Sequence, residues 1–203
     1  MSGSLSNSML PDLDPAALRI THVRGPVTRQ VRDAVLMEGG ESAWRALLDQ
    51  VSPECRAVFS QDIGLYEWIE ARHSAELSLA YLSQGDPAFT ERRSEAAVQE
   101  VLTRLNRWVL RMLSTTFLVN AFPKLFGLYY RGGKVIVDSV GDSSALISLW
   151  AEGLYPAWYS QGLPAVLRTG LEAAGAKSVS VNHAPPMGEG LLALRHQYEV
   201  HWK

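Results

Sequence analysis

The last stretch of the chain constrains its fold more than any other. Between Leu192 and Trp202, the residues Leu192, Leu194, His196, Tyr198, Val200 and Trp202 share one parity, and Ala193, Arg195, Gln197, Glu199 and His201 take the other. Successive side chains of a β-strand point to opposite faces, so this alternation predicts a strand with one packed face and one wet face. A slip of one residue would bury Glu199 and His201 and expose an aromatic pair, so the register is strongly specified. Just upstream, the spacing predicts a helix over 155–174, a stop at Gly175 and a strand over 177–183.

The period is also two over 126–130, 134–140 and 145–151. Arg131-Gly132-Gly133 reads as a hairpin turn between the first two, and Gly141-Asp142-Ser143 as the turn before the third. Before residue 125 the pattern is helical. Leu18, Ile20 and Val23 lead in, Pro26 opens a helix that Gly39-Gly40 ends, and a second helix follows over 42–50. Ser52-Pro53-Glu54 reads as a cap, a first-turn proline and a first-turn carboxylate opening a short helix. A long helix is predicted over 66–83, with Trp68, Ala71, Ala75, Leu79 and Leu82 inward. Another runs from 87 or 90 to 113, burying Val98, Val101, Leu102, Leu105, Trp108, Val109 and Met112. Arg92, Arg93, Arg104, Arg107 and Arg111 lie off that stripe and read as a solvated face interleaved with Glu95 and Glu100. The segment 115–125 reads as a short helix ended before Pro123.

The fold class predicted is α+β: an N-terminal helical layer packed on a C-terminal, mostly antiparallel sheet, with one long helix inserted in the order strand-strand-strand-helix-strand-strand. Residues 1–17 are expected to be a mobile tail. Residues 18–203 are expected to form a single domain, with 18–124 its helical half and 125–203 its sheet half. Apolar residues make up 47% and charged residues 20%, as in ordinary globular proteins. A net charge of −2 supplies no field to recruit nucleic acid. The single cysteine cannot form a disulfide within the chain. The N-terminus has neither a basic start nor an apolar run, and no stretch is apolar enough to span a membrane. A cytoplasmic setting is expected.

No phosphate-binding glycine loop, His-Glu-x-x-His or Gly-x-Ser-x-Gly occurs, and no nucleophile–base spacing is visible. No catalytic residue and no metal site is predicted. His196 and His201 are five apart on one strand and face opposite sides, so with His183 they do not share a metal. His73 lies mid-helix, from where it could reach a heme from the helical layer. Cys55 reads as a small buried residue, because Arg56 alone does not make a reactive thiolate environment. The aromatic residues are mainly core, and their surplus is expected to line an apolar pocket between helices and sheet, bordered by Trp68, His73, Trp108, Phe122 and Tyr129.

Several local patterns carry a resemblance. They are Val23-Arg24-Gly25 opening a helix, Ser52-Pro53-Glu54-Cys55-Arg56, Tyr66-Glu67-Trp68 and Phe122-Pro123-Lys124-Leu125-Phe126. The chain ends on Gly175-Ala176, Val179-Ser180-Val181 and Tyr198-Glu199-Val200-His201-Trp202. In these the chain resembles an uncharacterised bacterial family related to the 4-vinyl-reductase-type sensory domain, within the wider heme-NO-binding and Golgi-tethering-subunit superfamily. That resemblance implies a ligand-binding or partner-binding scaffold, regulatory rather than catalytic. The heme-NO-binding branch reads its heme propionates with Tyr-x-Ser-x-Arg, which is absent here, and relatives often carry a cysteine before the last strand where this chain has Gly188-Glu189-Gly190-Leu191. No cofactor is therefore predicted; heme or a lipid are the candidates if one is held.

The expected function is a non-enzymatic small-molecule-sensing or ligand-binding regulatory domain. The alternative is a protein–protein interaction module without a ligand, to which Arg93, Arg104, Arg107 and Arg111 could contribute. An enzyme without a visible motif comes third. The partner expected is a small apolar ligand or a protein, a second copy of the chain included, and neither nucleic acid nor a membrane.

Overall fold

The computed structural model describes residues 13–86, 88–104 and 114–203. A 3-10 turn at Pro15–Leu18 leads into β1 (His22–Arg24), which runs straight into α1 (Gly25–Leu48). Gly40, at φ 67°, kinks α1 where the glycine pair breaks the helical pattern. The short α2 (Pro53–Phe59) follows, then β2 (Trp68–Glu70), α3 (Ala71–Leu82) and α4 (Phe89–Arg104). After α5 (Thr115–Tyr129) come β3 (Tyr130–Arg131), β4 (Lys134–Val140) and β5 (Ser144–Trp150). A π-helical turn at Trp158–Gly162 opens α6 (Leu163–Ala173), and β6 (Ser180–Ala184) and β7 (Arg195–His201) finish the fold. The architecture is α+β, as expected.

The large sheet has the order β4-β5-β7-β6, antiparallel throughout, with α6 inserted between β5 and β6. β7 is central and over its own length takes the predicted parity: Tyr198 and Val200 are fully buried, Trp202 and His196 nearly so, and Glu199 and His201 are exposed. The strand expected from Leu192, however, starts only at Arg195, after a 3-10 turn at Gly190–Leu194 in which Leu192 is exposed. Beyond it, Lys203 and Lys177 exchange backbone hydrogen bonds at 2.8 Å, which ties down the chain end. One hydrophobic cluster runs through both halves, from Val31 and Leu47 through Phe89 and Trp158 to Ile147 and Val200.

The join between the halves is built around a charge. Arg93 on α4, read from the sequence as solvated, is 6% exposed. Its guanidinium donates to Ser78 Oγ (2.7 Å), to the Tyr155 hydroxyl (3.1 Å) and to the Val27 carbonyl. A buried guanidinium is tolerable because those partners replace the water it loses. On the next turn of the joint, a side chain at Gly162 would press on Ser94 and Thr90, so glycine lets α4 and the π-helical turn approach closely. Arg168 on α6 bonds Glu91 (2.7 Å) and Glu95 on α4.

Three further segments differ from expectation. Residues 66–70 are not the start of a helix: Trp68, Ile69 and Glu70 pair with Arg24, Val23 and His22 in a second, three-stranded sheet of order β2-β1-β3. Trp68 therefore sits on a strand, and the buried residues of α3 are Ala71, as expected, together with His73, Ser74, Leu77, Ser78 and Tyr81, while Leu79 is 49% exposed. Residues 126–129 belong to α5, which is capped by the Ser114 side chain and passes through Pro123. Arg131-Gly132-Gly133 is not a hairpin but the step between the two sheets, since β3 pairs with β1 and β4 pairs with β5. Gly132 and Gly133 both have positive φ, and a Cβ at Gly132 would collide with the Arg19 carbonyl. The helix predicted beyond 104, Trp108 included, and most of the expected tail lie outside the described residues.

Candidate functional site

Ser52 organises the corner between α2 and α3. Its side chain accepts from the Cys55 N–H (3.3 Å), the N-cap bond that starts α2, and its hydroxyl donates to Glu76 of α3 (3.0 Å). The Ser52 N–H donates to the same carboxylate at 2.5 Å. With α2 held in this way, Cys55 is fully buried against α3 and its Sγ donates to the His73 carbonyl at 3.4 Å. Burial first, and then the charge and hydrogen bond of Glu76, push the Cys55 thiol up to about 12. His73 and Glu76 are three apart on α3 and so share a face. His73 is 5% exposed, and its Nδ1 is buried without a hydrogen-bond partner among the described residues.

Above this corner lies a groove of about 300 Å3, bordered by Val58, Ile63, Trp68, Ile69 and His73 and carrying Asp62, Glu67 and Glu70. The Trp68 indole is fixed from outside by guanidinium groups, with Arg131 4.4 Å and Arg24 5.2 Å from its ring. The carboxylates are partly engaged. Glu70 bonds Arg72 at 2.7 Å, which holds it below the usual carboxylate range, Glu67 accepts from the Gly64 N–H at 2.9 Å, and Asp62 lies 3.4 Å from Arg32. The wall is therefore part apolar and part polar, with Asp62, Glu67 and Glu70 its acidic groups.

A second cluster lies on the large sheet. His183 Nε2 and His196 Nδ1 are 3.0 Å apart in a hydrogen bond, and His196 stacks on Tyr159 at 4.0 Å. Burial lowers His196 to about 4, with His183 adding to the effect. His201 stands apart, as its parity requires, and pairs with Glu199 at 3.2 Å.

Of the residues expected to line a pocket, the structure brings together Trp68 and His73. Phe122 is buried on α5 with its ring 6.4 Å from Phe126, and Tyr129 is partly buried at the end of that helix; neither borders the groove. Trp108 is outside the described residues. Sequence reading did not place Glu76 beside Cys55, whereas Cys55 is the small buried residue expected. The signal available was the pair of short spacings, Ser52-x-x-Cys55 and His73-x-x-Glu76, once the two helices were known to face each other.

Against known structures, the chain superposes on a variant of the Fe(II) unliganded H-NOX protein of K. algicida with a TM-score of 0.68 at 10% identity, covering 89% of this chain and 96% of that one. The fold is the H-NOX fold. An H-NOX protein from S. oneidensis in the Fe(II)NO ligation state matches with a TM-score of 0.61 at 11% identity, over 89% of this chain and 99% of that one. The H-NOX domain from Shewanella oneidensis in the Fe(II)CO ligation state matches at 0.60 and 14% identity, over 89% and 98%. No family profile and no curated protein matches the sequence. In this H-NOX fold the groove and the Cys55 corner both lie in the helical half, away from the four-stranded sheet.

Proposed function

We propose that the chain is a cytoplasmic, non-enzymatic sensory domain that binds a small molecule in the groove between α2, β2 and α3, akin to the 4-vinyl-reductase-type sensory domains. The observation that carries this is a formed groove, with Trp68 clamped on its border and His73 beside it, in a fold shared with ligand-binding H-NOX proteins. At about 300 Å3 the groove stands at the lower end of the range of small-molecule pockets, roughly 300–1,000 Å3. Its carboxylates favour a ligand that joins an apolar body to a cationic or hydrogen-bond-donating end.

Heme does not fit the described residues. The joint between the halves is filled by Phe89, Arg93, Tyr155, Trp158 and Leu163, each at most 6% exposed. His73 opens on a groove too small for a porphyrin.

The test is native mass spectrometry and absorbance of the purified chain, followed by a thermal-shift screen of amine-bearing fragments on the parent and Trp68→Ala. A retained or stabilising small molecule that Trp68→Ala no longer binds is the expected result. A heme band, or hits that ignore Trp68→Ala, would overturn the reading. A second reading, an interaction module, is favoured by the apolar stripe of α5, where Phe117, Leu125 and Leu128 are 54%, 41% and 46% exposed.

A further inference from the structure

Free cysteines are usually buried, inert and close to other apolar groups. Cys55 is buried, but its neighbours are an imidazole and a carboxylate. We propose that Cys55, His73 and Glu76 bind a divalent transition-metal ion of the zinc class through Sγ, one imidazole nitrogen and one carboxylate oxygen. The proposal is independent of whether the groove above holds a small molecule.

Geometry comes first. One ligand atom from each residue lies within 4.8 Å of the other two. Tetrahedral zinc, with bonds of roughly 2.0–2.3 Å, sets its ligands about 3.4–3.7 Å apart, so closing on an ion takes a contraction of about 1 Å. Sulfur, nitrogen and oxygen donors together suit zinc or cobalt and not magnesium or calcium, which take oxygen alone.

The second observation is independent of the cluster's spacing. His73 Nδ1 is buried with no partner among the described residues, although buried polar atoms are nearly always satisfied. An imidazole that ligates an ion through that nitrogen recovers that loss. The carboxylate is already oriented as metal ligands usually are, since Ser52 grips Glu76 with its N–H and hydroxyl and leaves other lone pairs free.

Charge closes the argument. In the metal-free chain the thiol keeps its proton, because burial and Glu76 both oppose a thiolate. When the ion binds, the S–H bond breaks, the proton passes to solvent and the sulfur electron pair enters the metal–sulfur bond. Thiolate and carboxylate together cancel the two positive charges, so the buried site is neutral. Three protein ligands leave a fourth position for water, and His73 also borders the groove through which an ion would enter.

Cobalt(II) titration of the chelator-stripped full chain tests this directly. One equivalent should bind with a thiolate-to-cobalt charge-transfer band and be displaced by zinc. Cys55 is the chain's single cysteine, so the band has only one source. Cys55→Ser should abolish it, and His73→Ala should weaken cobalt binding by more than about 100-fold, beyond the range of roughly 10- to 100-fold that outer-shell losses cover. Zinc should raise the melting temperature of the parent and leave that of Cys55→Ser where it was. If Cys55→Ser does not fold, the affinity of His73→Ala decides alone. A folded parent without the band, an unchanged affinity in His73→Ala, or an equal zinc shift in parent and Cys55→Ser each overturns the site. Small-molecule retention is read separately, so failure of the metal site and failure of the groove reading are distinguishable.

Discussion

Tyr198 and His73 are buried to nearly the same degree, at 0% and 5% exposure, and their surroundings differ in kind. Tyr198 lies in the central strand of the large sheet, between β5 and β6, and its hydroxyl donates to the Tyr159 carbonyl at 3.0 Å. Every demand of that side chain is met by the fold. His73 lies in a corner where a thiol is held protonated, a carboxylate is gripped by Ser52 and a ring nitrogen has no partner among the described residues. A native core rarely leaves such an atom unsatisfied, and the exceptions gather where structure is held for use rather than for stability. The comparison separates a region that maintains the fold from one the fold maintains.

The largest expected effect comes from removing the first of these regions. Deleting residues 198–203 strips β7 of its buried face and removes the Lys203 pairing with Lys177, leaving β5 and β6 without the strand between them. The variant should show no cooperative melting. A truncated chain that melts like the parent would show that the sheet does not depend on its centre.

The contrast sharpens with single changes. Tyr198→Ala should cost about 3–5 kcal/mol, the usual range for emptying a large core site. His73→Leu, measured in chelator, should be neutral or stabilising by about 1 kcal/mol, because it removes an unsatisfied buried atom whose desolvation costs about 1–3 kcal/mol. Denaturant titration reads both. If His73→Leu costs as much as Tyr198→Ala, the corner is ordinary core.

Acid should reveal the sheet histidines next. His196 titrates at about 4 in the folded chain against about 6.5 when unfolded, since burial disfavours its charged form. Between those values the unfolded state binds a proton the folded state refuses, so stability falls as pH drops from about 6.5 to about 4 and is unaffected above that window. His183, also lowered by burial, adds in the same direction, while Tyr159 and Tyr198, which stack on the pair, stay neutral throughout because burial raises both. His196→Gln should flatten the slope of melting temperature against pH; an unchanged slope would put the titration elsewhere.

The two regions also differ in how far the sequence exposes them. β7 was readable because its alternation is dictated by one wet and one dry face, and the parity of Tyr198, Val200 and Trp202 came out as expected. The helix α6 and the Gly175 stop followed from ordinary helical spacing, which did not reveal the π-helical turn at Trp158–Gly162. In α3 the same method failed. Its buried face also holds His73, Ser74 and Ser78, so an apolar stripe found Ala71, Ala75 and Leu82 but missed the polar half of that face and placed the exposed Leu79 inward. Arg93 was hidden for the same cause: a guanidinium reads as surface until Ser78, Tyr155 and Val27 are seen to converge on it. Trp68 looked helical because its pairing partner, Arg24, is distant in sequence. Cys55 and Glu76 came from two helices whose approach no local pattern encodes.

The smallest effect is expected outside both regions, on α5. Phe117 and Leu125 are 54% and 41% exposed, so Phe117→Ser and Leu125→Ser should change stability by no more than about 0.5 kcal/mol, as surface substitutions do. What they should change, if α5 is an interface, is association. A helix that displays apolar side chains at Phe117, Leu125 and Leu128 has a face that neither β3 nor β4 covers, and a second copy of the chain would bury it. Light scattering of the parent against the double variant Phe117→Ser/Leu125→Ser separates the cases. A parent that associates and a double variant that is monomeric, both melting alike, would support the interaction reading and assign it to α5. A strictly monomeric parent would leave the stripe without that role and leave the groove near Trp68 as the stronger functional surface.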